Sequence, residues 1–183
     1  MKGKYDITKQ LQTQAKQGKV VAQYQLALAY EKGDGVPKDN KAAFDWMKKA
    51  ASGGFGQAMC QLGVFFMKGI GTEIIDTTAV YYFNQAAQKD IPEGNYYMGL
   101  CYERGFGVSA SLDTALMFYE RAAKEGFNEA IVAINRLSAI GKLEKLESHI
   151  ALLRMDEVKS RVSMTEEELG IYNILSLEAK EYS

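Results

Sequence analysis

Residues 22–55 read AQYQLALAYEKGDGVPKDNKAAFDWMKKAASGGF, and the same pattern returns at a fixed interval along the chain. The small residues Ala22, Ala58, Gly94 and Ala130 lie 36 positions apart. Other positions that keep the same interval are Leu26, Leu62, Met98 and Ile134; Tyr30, Phe66 and Tyr102; Gly33, Gly69 and Gly105; Gly35, Gly71 and Gly107; and Trp46, Tyr82 and Phe118. Self-similarity at this period is typical of stacked supersecondary units that bury a shared core between neighbours.

Each unit is predicted to form two helices joined by a glycine-containing turn. In the first unit, apolar residues at positions 22, 26, 27 and 30 follow the three-and-four spacing of a helix face. Gly33 and Gly35 are typical of a helix end, and Asp39 is well placed to cap the second helix through its carboxylate. Trp46 on that second helix is interpreted as a core residue rather than a ligand platform, because an aromatic ring recurs at each equivalent position.

The period divides the chain into six segments. These are an N-terminal half-repeat and capping helix (1–17), three repeats (18–53, 54–89 and 90–125), a degenerate fourth repeat (126–162) and a C-terminal helix (163–183). The fourth repeat is degenerate because it keeps Gly141 but replaces the second turn glycine with Lys142-Leu143. Polar or decayed terminal units are typical of the ends of a repeat array, since those ends face water.

The last segment carries a helix-start signal. Thr165 and Glu168 match a capping box, and Met164 and Leu169 match a hydrophobic staple. The apolar face of this C-terminal helix would cover the end of the array, lie in its groove, or join a second copy of the chain in a homodimer. Of these alternatives, the sequence favours the cap.

The connection inside each repeat varies. In the second repeat the N-cap signal moves to Asp76, which leaves Ile74 and Ile75 as an unusually apolar connection, either a packed loop or a contact surface. In the third repeat, Ser109 or Ser111 can cap the following helix.

The charge and hydropathy of the chain argue against some classes of partner and location. The chain has 23 acidic and 22 basic residues and a formal charge of -1, which argues against nucleic acid or an anionic membrane as the partner. The start of the chain lacks the apolar core of a signal peptide, and no later run is long enough to span a bilayer. The sequence therefore predicts a cytoplasmic protein.

The two cysteines are predicted to be free thiols. Cys60 and Cys101 occupy different positions of the repeat, so stacking of the units would not bring them together. His149 is the only histidine, and no Cys-x-x-Cys or carboxylate-histidine cluster accompanies it. We therefore expect no metal and no cofactor.

The pattern from Ala22 to Gly54 is Ala-x-x-x-Leu-Ala-x-x-Tyr-x-x-Gly-x-Gly-Val-x-x-Asp-x-x-x-Ala-x-x-Trp-x-x-x-Ala-Ala-x-x-Gly. It resembles the Sel-one-like repeat (SLR) family, relatives of the tetratricopeptide repeats, over about residues 18–141. The resemblance implies an all-α solenoid of antiparallel helix pairs in a right-handed superhelix, with the first helix of each pair lining a concave surface. It also implies adaptor roles, which include scaffolding, host interaction and immunity against toxins.

If the first helices line a concave face, the period gives the residues that point into it. The predicted protein-binding residues are Tyr24, Leu28, Glu31, Lys32, Cys60, Val64, Met67, Lys68, Tyr96, Leu100, Glu103 and Arg104. An apolar stripe with two tyrosines, flanked by acidic and basic rows, is typical of a peptide or helix groove. In the alternative interpretation, the charged rows are a solvated face, and Leu28, Val64 and Leu100 pack between adjacent first helices.

The sequence favours a non-catalytic interaction module, with an effector, a toxin or a signalling component as its protein partner. A narrower hypothesis is a bacterial immunity or regulatory protein. An alternative is a structural scaffold that self-associates through the C-terminal helix. The competing hypothesis is an enzyme similar to the β-lactam-binding members of the family, but those carry paired cysteines in each unit, which this chain lacks. No Ser-x-x-Lys stretch or phosphate-binding glycine loop supports catalysis either.

Overall fold

The computed structural model describes residues 2–161, which form eight α-helices and no strand. The helices are α1 (Lys2–Lys16), α2 (Val20–Lys32), α3 (Asn40–Ser52), α4 (Gly56–Lys68), α5 (Asp76–Ala87), α6 (Pro92–Arg104), α7 (Leu112–Lys124) and α8 (Asn128–Arg161). The chain divides into two compact units, Met1–Ile131 and Val132–Ser183. The predicted C-terminal helix over 163–183, with its capping box, lies outside the described residues.

The first compact unit is built from helix pairs. Helices α2 and α3, α4 and α5, and α6 and α7 pack together as the pairs that the period predicts. Helix α3 also packs on α4, α5 packs on α6, and α1 packs on α2. The predicted all-α solenoid is therefore confirmed, and α1 takes the place of the second helix of a leading unit.

The core lies between neighbouring helix pairs, as a repeat architecture requires. Ala43, Met47 and Ala50 of α3 are buried in one cluster with Leu62 and Phe65 of α4. Small side chains on α3 let the two backbones approach closely, and the larger ones fill the remaining space.

Trp46 packs against this core while remaining partly exposed. Its outer face is covered by Lys49, whose Nζ lies 4.1 Å from the ring centroid, a cation–π geometry. The interpretation of Trp46 as a packing residue rather than a ligand platform agrees with these contacts.

One backbone hydrogen bond fixes the turn in every repeat. The residue just before each second helix donates its backbone N–H to the carbonyl of an aromatic residue on the first helix. The donors are Asp39, Ile75 and Ser111, and their acceptors are Tyr30, Phe66 and Tyr102, at 2.9, 3.1 and 2.9 Å respectively. The turn geometry is therefore the same in all three repeats although its residues differ.

The side-chain caps differ between repeats. Asp39 Oδ1 accepts from the Ala42 N–H at 2.9 Å, which confirms the predicted cap, and Ser111 rather than Ser109 caps α7. The prediction for the second repeat was wrong: Ile75 occupies the N-cap position, and Asp76 is the first helical residue. The backbone bond to Phe66 fixes residue 75 as the N-cap, so the carboxylate one position later cannot take that role. Ile74 and Ile75 are both exposed.

We predict that Asp39→Ala lowers the free energy of unfolding by about 1 kcal/mol, because it leaves a helix N–H without its acceptor. Asp39→Asn is the matched control, since asparagine caps about as well as aspartate and only the charge changes. Urea denaturation followed by circular dichroism measures both. Equal losses in the two variants would show that the charge matters and the cap does not.

The degenerate fourth repeat does not form a helix pair in the structure. Helix α8 runs without interruption from Asn128 to Arg161, and Gly141 lies within it without a positive φ. A single glycine weakens a helix but does not end it, and here the second turn glycine and a following cap are both missing. The chain therefore continues as helix where three earlier repeats turn.

Candidate protein-binding face

The candidate site is the surface of α2, α4 and α6 that carries the twelve predicted residues, hereafter the first-helix face. Positions such as 24, 28 and 31 follow one side of a helix, so each first helix presents one stripe. Tyr24, Leu28, Tyr96 and Leu100 are half-buried, and their exposed portions give the face its apolar surface. Lys32, Lys68 and Arg104 are exposed, whereas Glu31, Met67 and Glu103 are half-buried.

The structure corrects two of the predicted contact residues. Cys60 and Val64 are only 5% and 4% exposed, and they belong to a core cluster with Ala79 and Phe83 of α5 and Met98 of α6. Each first helix is packed between two neighbouring helices, and the short Cys60 and Val64 side chains are covered there, while the longer tyrosines and leucines at the equivalent positions reach the surface. Cys60 and Val64 therefore lie under the first-helix face and offer a partner almost no surface.

The cysteines are free, as predicted, and both are buried. Burial, with a smaller contribution from Glu93, raises the pKa of the Cys60 thiol to about 12. Burial and then Asp76 raise the pKa of Cys101 to about 12 as well. Both sulfurs are thus protonated at neutral pH, and a thiol in this state is a poor nucleophile and a poor metal ligand.

Tyr24 and Tyr96 of the first-helix face pack against the aromatic residue that precedes the next first helix. The ring of Tyr24 meets that of Phe55 edge to face, with centroids 5.1 Å apart, and Tyr96 lies 5.2 Å from Phe127. These rings therefore contact the residues that precede the next first helix and also remain partly open to solvent. Burial raises the pKa of Tyr24, so its hydroxyl is neutral at physiological pH.

Sequence analysis missed Phe55 and Phe127 as parts of this face. They recur at the repeat interval with Ile91 between them, and all three precede a first helix. The signal was therefore present in the period, but the predicted contact residues all lie inside the first helices.

The charged rows have different local roles. Glu103 accepts a 2.7 Å hydrogen bond from the hydroxyl of Tyr119, a fully buried side chain of α7, so this carboxylate is held in place. Lys32, Lys68 and Arg104 are each the last residue of a first helix, where a cation interacts favourably with the helix dipole. The basic row thus has a structural explanation at the helix ends.

The described residues carry neither a metal-ion cluster nor a membrane-spanning helix. Within residues 2–161, no group of three or more histidine, cysteine and carboxylate side chains is arranged to hold a metal ion. The same part of the chain contains no helix long and apolar enough to cross a membrane.

Tandem antiparallel helix pairs with a 36-residue period define a helical-repeat protein of the α-solenoid class. Within that class the chain belongs to the Sel1 repeat family, whose model matches residues 20–55, 56–91 and 92–127. Proteins built from these repeats are generally non-catalytic modules for protein–protein interaction. The matched segments keep the interval found in the sequence and begin slightly later than the predicted repeats.

Solved structures of similar proteins agree with this assignment. A Sel1 repeat protein from Oxalobacter formigenes is 31% identical with a TM-score of 0.63, over 69% of this chain and 96% of its own. The c5321 protein, a protective antigen of uropathogenic Escherichia coli with an SLR fold, is 31% identical with a TM-score of 0.68. That match covers 76% of this chain and 31% of c5321. Cysteine-rich protein B of Helicobacter pylori, at 20% identity and a TM-score of 0.57 over 69% of this chain and 96% of its own, shares the fold. A comparison with curated proteins gave no match.

Proposed function

We propose that this protein binds one protein or peptide partner through its first-helix face and performs no catalysis itself. The observation that carries the proposal is the pair of equivalent apolar sites on α2 and α6, where Tyr24 and Leu28 and then Tyr96 and Leu100 are half-buried. Aromatic and aliphatic side chains with a charged rim are the usual composition of a binding surface. Cys60 and Val64, at the equivalent positions of α4, are buried beneath the surface between the two sites.

The partner is a cytoplasmic effector, toxin or signalling component, and the protein acts as an adaptor, or as an immunity or regulatory protein. Support for the adaptor role comes from the general use of Sel1 repeats in protein–protein interaction. The near-neutral charge of the chain supports a protein partner over nucleic acid or membrane.

The test is affinity capture from native lysate with three baits, followed by mass spectrometry. Leu28→Glu/Leu100→Glu places two charges on the first-helix face and is expected to lose the partner, because each buried contact is replaced by an unpaired carboxylate. The matched control is Tyr81→Glu/Met117→Glu, the same kind of change on second helices at side chains that are 58% and 42% exposed.

A protein retained by the wild type and the control bait, and lost by the Leu28/Leu100 bait, supports the proposal. Circular dichroism must first show that both variants fold. If the Leu28/Leu100 bait retains the same protein as the wild type, the first-helix face is not the binding site.

A further inference from the structure

Helix α8 carries an apolar stripe that is open to solvent. Leu146, Ile150 and Leu153 are 54%, 39% and 55% exposed. They follow one another by four and then three residues, so their side chains lie along one side of the helix. Single exposed apolar residues are common on proteins, but three that are aligned on one helix indicate a surface that packs against something. We call these three residues the α8 stripe.

The segment that directly follows α8 is the nearest candidate to cover this stripe. Residues 162–183 read VSMTEEELGIYNILSLEAKEYS and lie outside the described residues. The capping box of Thr165 and Glu168 predicts a helix that begins four positions after Arg161, where α8 ends. Connections as short as this one usually join antiparallel neighbours in helical proteins.

The composition of the segment indicates that it needs a surface to pack on. Six large apolar residues lie close together in it, namely Leu169, Ile171, Tyr172, Ile174, Leu175 and Leu177. A helix that is this apolar is normally buried. Gly170 also weakens the helix, and short helices are marginal in water unless they pack on another element.

The apolar residues of α8 and of the segment lie at matching heights in an antiparallel pair. With a rise of about 1.5 Å per residue, Leu153 and Ile150 lie about 12 and 16.5 Å before the end of α8. On a helix that begins at the capping box, Tyr172 and Leu175 lie about 10.5 and 15 Å from its start. Leu153 is therefore level with Tyr172, and Ile150 is level with Leu175, to within about 1.5 Å.

The charges beyond these apolar residues are complementary in the same arrangement. Lys145 and Glu147 are exposed on α8, about 24 and 21 Å before its end. Glu178 and Lys180 lie about 19.5 and 22.5 Å along the segment. Two antiparallel helices present the same flank to each other, so Glu147 faces Lys180 and Lys145 faces Glu178.

We propose that residues 166–180 form a helix that packs antiparallel on the α8 stripe, so that the chain covers its own exposed apolar surface. The short connection holds the segment near the stripe at an effective concentration on the order of millimolar. A second copy of the chain would have to reach that concentration to take its place. The arrangement specifies α8 as the surface that the predicted cap covers, and it is independent of the proposed protein-binding role.

Disulfide cross-linking in the whole chain tests this pairing. Ile150→Cys/Leu175→Cys places two thiols on facing residues, and diamide is expected to oxidise them to a disulfide within one chain, which mass spectrometry of tryptic peptides identifies. Cys60 and Cys101 do not compete, because their thiols are buried and protonated at neutral pH. The matched control is Ala151→Cys/Leu175→Cys, since Ala151 is exposed at nearly the same height on another side of α8. We expect the control to cross-link at least about tenfold more slowly.

A faster cross-link within one chain in the Ile150/Leu175 pair than in the control supports the proposal. Cross-links only between two chains would show that a second copy covers the stripe, and equal rates in the two pairs would show that the segment does not dock in one register. Either result, or no cross-link in either pair, overturns the proposal.

NMR of the unmodified protein provides a second measurement that no folding defect of a variant can affect. Nuclear Overhauser cross-peaks are expected between the methyl groups of Leu153 and the ring protons of Tyr172. An isotope-filtered experiment on mixed labelled and unlabelled chains detects only contacts between chains, and there the same cross-peaks should be absent. Their absence from the first experiment, or their presence in the second, overturns the proposal.

Discussion

Gly71→Ala is expected to lower the free energy of unfolding by about 3 kcal/mol, the sum of a backbone strain and a steric clash. Gly71 has a φ of +68°, and a Cβ added there would lie 2.1 Å from the carbonyl oxygen of Asn40, at the start of α3. The Asn40 oxygen belongs to backbone, so no side-chain rotation relieves the contact. Gly107 makes the equivalent contact with Asp76 in the next repeat, at 2.7 Å. In the second and third repeats, the second turn glycine is therefore the point of close backbone contact with the preceding repeat.

Gly54→Ala is the matched control for this prediction. Gly54 has a φ of +85°, but nothing lies within 4 Å of an added Cβ. Its substitution should thus cost only the strain, about 1 kcal/mol. Urea denaturation of the two variants beside the wild type separates the two contributions. If Gly71→Ala and Gly54→Ala lose the same stability, the contact with Asn40 contributes nothing.

Gly99→Ala is expected to lower the free energy of unfolding by about 2 kcal/mol, although alanine is the better helix former by about 1 kcal/mol. A Cβ at Gly99 would lie 2.6 Å from two ring atoms of Tyr119, which is fully buried. The ring has no free space to move into, so α6 and α7 must separate. The overpacking cost therefore exceeds the gain in helix propensity.

The first repeat shows how this clash can be relieved. There the residues equivalent to Gly99 and Tyr119 are Ala27 and Met47, both buried in one cluster. A flexible methionine leaves room for the alanine Cβ, whereas a rigid ring requires glycine. Gly99→Ala/Tyr119→Met should consequently be more stable than the sum of the two single changes predicts. Additive losses in this double-mutant cycle would contradict the steric explanation.

Much of the fold was predictable because its signals are local or recur at one interval. The period, the helix pairs, the Asp39 cap and the free cysteines each depend on a few neighbouring residues or on the register of the repeat. The errors occurred where two signals competed. Asp76 is a good capping residue by type, but the backbone bond of Ile75 fixes the cap one position earlier. Gly141 matches the repeat, but without a second glycine it remains inside α8.

The candidate binding face was predictable only as a set of equivalent positions. The period shows that Tyr24, Cys60 and Tyr96 share one row, but it cannot show that Cys60 is covered while the tyrosines remain partly open. Every one of these first helices is enclosed by two neighbouring helices, so a residue stays open only where its side chain reaches past them, as the long tyrosines do and Cys60 does not. The depth of that cover is set by the packed helices, and the period does not give it.

The sequence by itself determined the class of this protein, because a strict interval of small, aromatic and glycine residues allows few arrangements other than stacked helix pairs. Only the tertiary structure decided which side chains of the first-helix face remain open to solvent and which residues of different helices must fit together. Gly99 and Tyr119 carry no joint signal in the sequence, since they come from different helices. They meet because α6 and α7 pack so closely that a Cβ at residue 99 would lie 2.6 Å from the ring.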